Sequence, residues 1–190
     1  ARYSNEDSGF CNRTTGATIS NLNFKWNTLN LNNKNIEYIG GVSCEDTGSR
    51  FTSINVSMNV ANIDDDSVNN SGNIIHNNVT TQNATITGFG GIVGEGTNSN
   101  IVGCTFTGNV SAKLSATENS KNTINVGGII GRGAVSDNPE SEIDTIGMIV
   151  TDSTVGMDNS KTTFNFELVS NEDIASTVNI GGAGGYGSGA

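Results

Sequence analysis

The chain carries few cations and no long apolar segment. Nine Lys and Arg stand against 19 Asp and Glu, which gives a net charge of −10 over 190 residues. Proteins that bind nucleic acid or anionic membrane surfaces rely on cationic side chains, so we predict neither kind of partner. No stretch of about 18 consecutive apolar residues occurs, and membrane insertion is therefore not predicted either.

Histidine is almost absent, which limits the catalytic chemistry open to the chain. A Ser-His-Asp or Cys-His arrangement would have to use His76, the single histidine, which stands in the polar sequence Ile74–Asn78. One histidine and three scattered cysteines provide no zinc-ligand spacing. We therefore predict that the chain is not an enzyme, with no catalytic residue, no cofactor and no metal ion.

Leucine is scarce, whereas β-branched and small polar residues dominate. Leu occurs five times, Ile and Val together 32 times, and Asn, Ser and Thr supply 70 residues beside 25 Gly. Residues 54–60, 106–114 and 164–168 contain alternating apolar and polar positions, which is typical of half-buried strands. This composition predicts an all-β fold.

Four segments align without gaps on a glycine pair. The pairs are Gly40-Gly41, Gly90-Gly91, Gly127-Gly128 and Gly181-Gly182, separated by 50, 37 and 54 residues. In a stacked repeat each pair would lie over the one below, where the missing Cβ lets the backbone bend or a large neighbour lie across it. The recurrence predicts a solenoid of irregular repeats with loop excursions. A β-sandwich is the alternative fold, and it does not explain the pairs.

The sequence around two of these pairs resembles a known repeat. Gly90-Gly-Ile-Val-Gly-Glu-Gly96, followed by Ile101-Val-Gly-Cys-Thr-Phe-Thr-Gly-Asn-Val110, is similar to the GLUG-type repeat of bacterial surface proteins and IgA-peptidase-associated regions. Val126–Gly133 matches its first half, whereas Val42-Ser43-Cys44 and Ala183-Gly184-Gly185 depart from it. The resemblance covers about residues 36–190. It implies a right-handed parallel β-helix in an extracellular or cell-surface setting, and it implies no reaction.

The three cysteines leave one thiol over. Cys104 shares a side of its strand with Phe106, and we interpret it as a small buried hydrophobe. Cys11 and Cys44 are a candidate disulfide if the N-terminal segment folds over the first repeat. Spacing alone sets no connectivity.

Six N-glycosylation sequons are present, and the abundance of Asn, Ser and Thr accounts for that number by chance. The candidate sites are Asn12, Asn55, Asn69, Asn78, Asn83 and Asn109. Asn55 and Asn109 fall on the outward phase of their strands, where a sugar would stand in water.

Clustered carboxylates occur at Asp64, Asp65 and Asp66, the one candidate for polysaccharide chemistry or calcium binding. Because the run is contiguous, its side chains diverge, and a solvated acidic loop is the favoured interpretation. An EF-hand loop starting at Asp64 would need Glu at its twelfth position, where Ile75 stands.

The C-terminal sequence begins another glycine-pair strand at Val178 and continues as a Gly-rich segment without a polar cap. Solenoids usually close with such a cap, because an open end exposes core and unpaired backbone. We therefore expect residues 17–190 to form the repeat domain and residues 1–16 to be an N-terminal extension or clasp. Head-to-tail stacking of identical units would then build an open filament.

These observations predict an extracellular structural protein, a subunit of a cell-surface fibre that associates with itself end to end. The alternative is a surface adhesin segment that binds a glycan or a host protein, with Tyr3, Trp26 or Tyr186 as stacking residues. A polysaccharide-active β-helix enzyme is a third and weaker alternative.

Overall fold

The structure consists of parallel β-strands. The computed structural model describes residues 7–30, 38–61, 74–79, 88–116, 122–134, 148–157, 162–170 and 176–187. Within these ranges every regular element is a strand, no helix occurs, and every strand pairing is parallel. The prediction of an all-β fold is confirmed. An immunoglobulin-type sandwich pairs its strands antiparallel, so the β-sandwich alternative does not describe this arrangement.

The chain visits three sheets in a fixed order, and we call one such circuit a pass. Pass 1 contains β1 (Asp7–Thr15), β2 (Thr18–Ser20) and β3 (Asn23–Asn30). Pass 2 contains β4 (Tyr38–Thr47), β5 (Arg50–Thr52), β6 (Asn55–Ala61) and β7 (Ile74–Val79). Pass 3 contains β8 (Gly88–Gly90), β9 (Val93–Thr97), β10 (Asn100–Val102) and β11 (Thr105–Ala116). Pass 4 contains β12 (Asn122–Gly127), β13 (Ile130–Ala134), β14 (Ile149–Thr151), β15 (Thr154–Val155) and β16 (Thr163–Ser170), and pass 5 contains β17 (Ser176–Gly181) and β18 (Gly184–Gly187).

Each sheet is built from equivalent strands of successive passes. The first sheet has the order β17-β12-β8-β4-β9-β13-β18, with β1 also paired to β4. The second is β14-β10-β5-β2, and the third is β15-β11-β6-β3, with β7 and β16 paired to the far half of β11. A parallel pair requires the chain to return to the same end of the sheet. Here the strands of the other two sheets provide that return.

At each described corner between two sheets, a single residue adopts a left-handed backbone conformation with positive φ. Gly16, Gly48 and Asn98 turn the chain from the first sheet to the second, with φ of 57°, 68° and 53°. Asn21, Ser53, Gly103 and Asp152 do the same between the second and third sheets. Backbone hydrogen bonds continue across these corners, as from Gly48 N–H to the Thr97 carbonyl at 2.8 Å. Successive passes therefore stay in register from the first sheet through the second to the third.

The first glycine of each pair stands at a sharp bend within the first sheet. A Cβ at Gly40, Gly90, Gly127 or Gly181 would collide with the carbonyl oxygen three residues later. After the bend, two successive N–H groups donate to one carbonyl of the next pass: Val42 and Ser43 both donate to Ile92, at 2.9 and 3.2 Å. The carbonyls of Ile129 and Ala183 accept in the same way in later passes. This bulge-like bend needs glycine because no side chain fits inside it.

The second glycine of the first three pairs lies under its counterpart in the next pass and against a side chain of the third sheet. A Cβ at Gly91 would collide with the carbonyl oxygen of Gly128 and with the ring of Phe106. Val56 and Val155 occupy the equivalent places at Gly41 and Gly128. The recurring pair thus permits both the bend and the close approach of two sheets.

The N-terminal residues belong to the stack. β1 pairs with β4 from Asp7 opposite Tyr38 to Thr15 opposite Thr47, with one irregularity between Gly9 and Cys11. Residues 7–15 form the first strand of pass 1, and Gly16 is the first corner; the division at residue 16 stays a prediction.

Candidate functional site

Apolar side chains at equivalent register positions form columns through the interior. One column in the first sheet contains Ile39, Phe89, Val126 and Ile180. The second sheet contributes Ile19, Phe51, Ile101 and Val150, and the third contributes Phe24, Val56, Phe106 and Val155. The inner members are fully buried, and the rings of Phe89 and Phe106 pack edge to face across the interior with centroids 6.0 Å apart. Burial of these columns is the main stabilising contribution to the fold.

The column residues are less buried in passes 1, 4 and 5 than in passes 2 and 3 of the described ranges. Ile180 is 54 % exposed, although the three residues beneath it in the same column are buried. Ile19, Phe24, Val150 and Val155 are only partly buried. The large hydrophobic side chains that are exposed within the described ranges all lie in pass 1, 4 or 5: Phe10, Leu22, Ile149, Met157 and Ile180. Among the described side chains, exposed apolar groups are therefore concentrated in passes 1, 4 and 5.

Pass 1 carries three aromatic side chains, Phe10, Phe24 and Trp26. Phe10 stands where later passes have the second glycine, and its ring lies 4.9 Å from that of Phe24 while remaining 56 % exposed. The indole N–H of Trp26 donates to the Gly41 carbonyl at 3.0 Å. In a later pass the equivalent carbonyl accepts a backbone N–H instead: the Gly182 carbonyl accepts from the Gly128 N–H at 3.0 Å. Trp26 is therefore packed against the core and bonded there, which does not suit it to stacking on a sugar.

A ladder of charged side chains crosses the first sheet. Arg13, Glu45, Glu95 and Arg132 occupy one register position in passes 1 to 4. Arg13 Nε donates to Glu45 at 2.9 Å, and Arg132 reaches both carboxylate oxygens of Glu95 at 3.3 Å. Opposite charges on neighbouring strands stabilise their pairing, although exposure limits the effect. The sequence analysis missed this ladder, yet Glu45, Glu95 and Arg132 each stand four residues after the second glycine of a pair.

A cleft of about 190 Å³ opens beside the ladder. It is lined by Tyr38, Glu45, Asp46, Thr47, Glu95 and Thr97. Glu45 and Glu95 face each other across β4 and β9, so the structure does bring two carboxylates to one face. Each of them, however, is an acceptor for an arginine. Glycoside hydrolysis needs one carboxyl group as a proton donor, and this arrangement does not favour that role.

Asp46 is a buried carboxylate that joins three passes. It accepts from the Thr14 hydroxyl at 2.5 Å, from the backbone N–H of Ser49 at 3.2 Å and from the Ser99 hydroxyl. Thr14 also contacts the Ser43 hydroxyl at 2.9 Å. A buried charge is costly unless it is hydrogen-bonded, and three donors meet that need here. The network holds passes 1, 2 and 3 in register at the first corner and leaves Asp46 no free oxygen for chemistry.

No disulfide joins Cys11 to Cys44 in the structure. Cys11 lies opposite Ser43 in the ladder between β1 and β4, one residue away from Cys44. Cys11 is half-buried, whereas Cys44 and Cys104 are buried. Burial raises the pKa of the Cys104 thiol above its ordinary value of 9.0, and backbone hydrogen bonds at Ile54, Val102 and Ser53 offset this only in part. Cys104 thus sits in the core as a small apolar side chain.

The sequons fall in different surroundings. Asn55 is exposed, and its side-chain amide donates to Asn23 Oδ1 at 2.8 Å. Asn12 is half-buried, and the threonine of its sequon is the buried Thr14. Asn78 and Asn109 lie on β7 and β11. Occupancy of these sites stays a prediction.

Several predicted positions lie outside the described residues. They are Tyr3, Asp64, Asp65, Asp66, Asn69 and Asn83. His76 lies on β7, and Tyr186 lies on β18 opposite Arg132. No cluster of three metal-ligating side chains is found in the part of the chain that the structure describes. The described ranges also contain no helix of the length and apolarity that crossing a bilayer requires.

Comparison of the chain with protein-family models, with curated proteins and with solved structures yields no match. The GLUG-type resemblance therefore rests on the residues quoted for it.

Proposed function

We propose that the chain is an extracellular structural protein, a subunit of a cell-surface fibre whose units are right-handed parallel β-helices in end-to-end contact. Four passes through three parallel sheets in constant order, followed by a fifth described only in the first sheet, support the helical part of this proposal. Connections between parallel strands of one sheet are right-handed in nearly all proteins, because of strand twist. The GLUG-type resemblance supports the same fold and the cell-surface location.

One observation carries the proposal: within the described ranges, apolar side chains of the interior columns are partly or fully exposed in passes 1, 4 and 5. Ile180 is exposed, although Ile39, Phe89 and Val126 in the same column are buried. Large exposed apolar patches mark interaction sites on soluble proteins. Edge strands are unpaired at the same ends, since β1, β2 and β3 pair only with pass 2 in the described ranges. A second copy of the chain is the partner that presents matching strand edges.

Self-association can be tested directly on the purified chain. Negative-stain electron microscopy over a series of concentrations is expected to show fibres of constant width that lengthen with concentration. Light scattering after size exclusion is expected to show a mass that rises in the same series. A single monomeric species at the highest soluble concentration would contradict the proposal, because apolar ends of this kind would then be tolerated in water.

A surface adhesin segment is the alternative, and the cleft beside the charge ladder is the observation in its favour. Its lining offers carboxylates and hydroxyls, which are hydrogen-bonding partners for the hydroxyl groups of sugars. Glycan-array binding by a monomeric chain, lost on replacement of Thr97 by valine, would favour this alternative. Thr97 lines the cleft and lies outside the charge ladder.

A further inference from the structure

Three residues that directly follow a left-handed corner donate their backbone N–H to a side chain of the next pass. In two of these contacts the acceptor is a hydroxyl oxygen. Ala17 N–H donates to Ser49 Oγ at 3.0 Å, and Cys104 N–H donates to Ser153 Oγ at 3.1 Å. A backbone N–H at a corner needs such a partner, because leaving it unpaired away from water is costly.

The third acceptor is a sulfur atom. Ser99 follows the corner residue Asn98, and its N–H donates to Met148 Sδ at 3.2 Å. The hydroxyl of the same serine donates to the buried carboxylate of Asp46. Ser99 therefore links pass 3 to pass 2 on one side and to pass 4 on the other. A thioether is a weak acceptor, so the link to pass 4 depends on where the sulfur lies.

Gly96 makes the space that Met148 occupies. A Cβ at Gly96 would stand 2.8 Å from the methyl carbon of Met148 and 2.9 Å from its sulfur. The sulfur thus has the backbone of Gly96 on one side and that of Ser99 on another. Met148 packs against the core and is only partly buried, so solvent reaches its side chain.

The three methionines of the chain differ in exposure. Met58 is fully buried, Met148 is partly buried and Met157 is 62 % exposed. Oxidation of a methionine to its sulfoxide follows exposure and turns an apolar side chain into a polar one. Met148 combines access to solvent with a sulfur that accepts a backbone hydrogen bond.

We infer that Met148 is an oxidation site, and that its modification by a peroxide weakens the contact between passes 3 and 4. The oxidant is hydrogen peroxide or an organic hydroperoxide. The sulfur donates an electron pair to one peroxide oxygen, the O–O bond breaks and an S–O bond forms. The proton of the transferred hydroxyl passes to the leaving oxygen, which departs as water or an alcohol. The inference goes beyond the fibre proposal and does not depend on it.

The new oxygen disturbs the contact with Ser99 wherever it is placed. No oxygen fits between Ser99 N and the sulfur at a separation of 3.2 Å, so the sulfur would have to move away. On the other lone pair, the oxygen leaves the sulfur with a partial positive charge and makes it a poor acceptor. The sulfoxide is also polar, and packing it against the core is costly.

Peroxide treatment followed by peptide mass spectrometry and thermal unfolding tests the inference. In the folded chain Met157 is expected to oxidise first and Met148 second, with Met58 unmodified. Oxidation of Met148 should lower the thermal midpoint by about 2–4 °C, the shift typical of one lost hydrogen bond in a chain of this length. Met157→Leu is the matched control and should lose as much as the wild type, whereas Met148→Leu should lose nothing. Both variants keep every cysteine, so thiol oxidation affects them equally.

Amide hydrogen exchange provides a local measurement that does not require Met148→Leu to fold. In oxidised Met157→Leu, exchange of the Ser99 N–H is expected to accelerate about fivefold, since its acceptor is lost. Exchange at Ala17 and Cys104 should stay the same, because their acceptors are hydroxyl groups.

Three results would overturn the inference. The first is an equal fall of the thermal midpoint in Met148→Leu and Met157→Leu after peroxide treatment. The second is a Met148 that stays reduced after Met157 is fully oxidised, and the third is an unchanged exchange rate at Ser99 once Met148 is oxidised. None of these results bears on fibre formation, which is measured on the untreated chain.

Discussion

Replacing Gly91 by alanine is expected to destabilise the stack far more than replacing Gly48 by alanine. Both are single methyl additions to the same backbone, and both glycines recur in equivalent places of other passes. They differ in what the methyl group would meet. At Gly48 it would enter open space, whereas at Gly91 it would collide with the Gly128 carbonyl and the Phe106 ring.

The expected magnitudes follow from these surroundings. Gly48 has a φ of 68°, so alanine there is strained by about 1 kcal/mol through its backbone conformation alone. At Gly91 the obstacles are a buried ring and a backbone oxygen held by the spacing between adjacent strands of about 4.8 Å. Overfilling a packed core costs about 1–3 kcal/mol, and a rigid backbone obstacle places this substitution at or above about 3 kcal/mol.

Urea unfolding followed by circular dichroism measures the difference. The free energy of unfolding should fall in the order wild type, Gly48→Ala, Gly91→Ala, with the slope against urea unchanged. In the double variant Gly91→Ala/Phe106→Leu, the smaller side chain should relieve part of the collision. The double variant should therefore lose less free energy of unfolding than the sum of the losses of the two single variants. Equal losses for the two single glycine variants would refute the steric explanation of the recurring pair.

Three further expectations concern single side chains. Ser53→Gly should raise the free energy of unfolding by about 1 kcal/mol, because Ser53 holds a φ of 53° that glycine adopts freely; an unchanged thermal midpoint would contradict this. Asp46→Asn should lower stability by about 2 kcal/mol, because the Thr14 and Ser99 hydroxyls lose a charged acceptor, and denaturant titration would detect it. Since burial raises the folded-state pKa of Cys104, its contribution to stability is present below pH 9.0, the ordinary value, and is lost as pH rises toward the folded-state value. The stability difference between wild type and Cys104→Ala should therefore shrink at alkaline pH, and a constant difference would argue against burial as the cause.

The sequence by itself determined the class of secondary structure and the repeated element. Alternation at residues 54–60 and 106–114 predicted strands, and β6 and β11 lie there because period two is a local property of the backbone. The glycine pairs were also visible, since they recur with apolar neighbours. A bend and a close approach, the two uses expected of them, both occur in the structure because each needs a missing Cβ at that position.

Tertiary structure alone decided which distant residues share a face. Arg13, Glu45, Glu95 and Arg132 are separated by 32, 50 and 37 residues, and the parallel register places them on one ladder. The constant offset from the glycine pairs marks only the last three of them in the sequence. Loops of unequal length hide such a ladder from any fixed period. The same applies to Asp46, whose hydroxyl partners come from the first and third passes.

The local sequence pattern likewise did not determine which members of a column are covered. Ile39 and Ile180 follow the same local pattern, yet one is buried and the other exposed, because burial depends on the pass stacked above and not on the residue itself. A local pattern specifies which side of a strand is apolar. Only the stack determines whether another layer covers it, and in this protein that difference separates the core from the surfaces proposed to join one unit to the next.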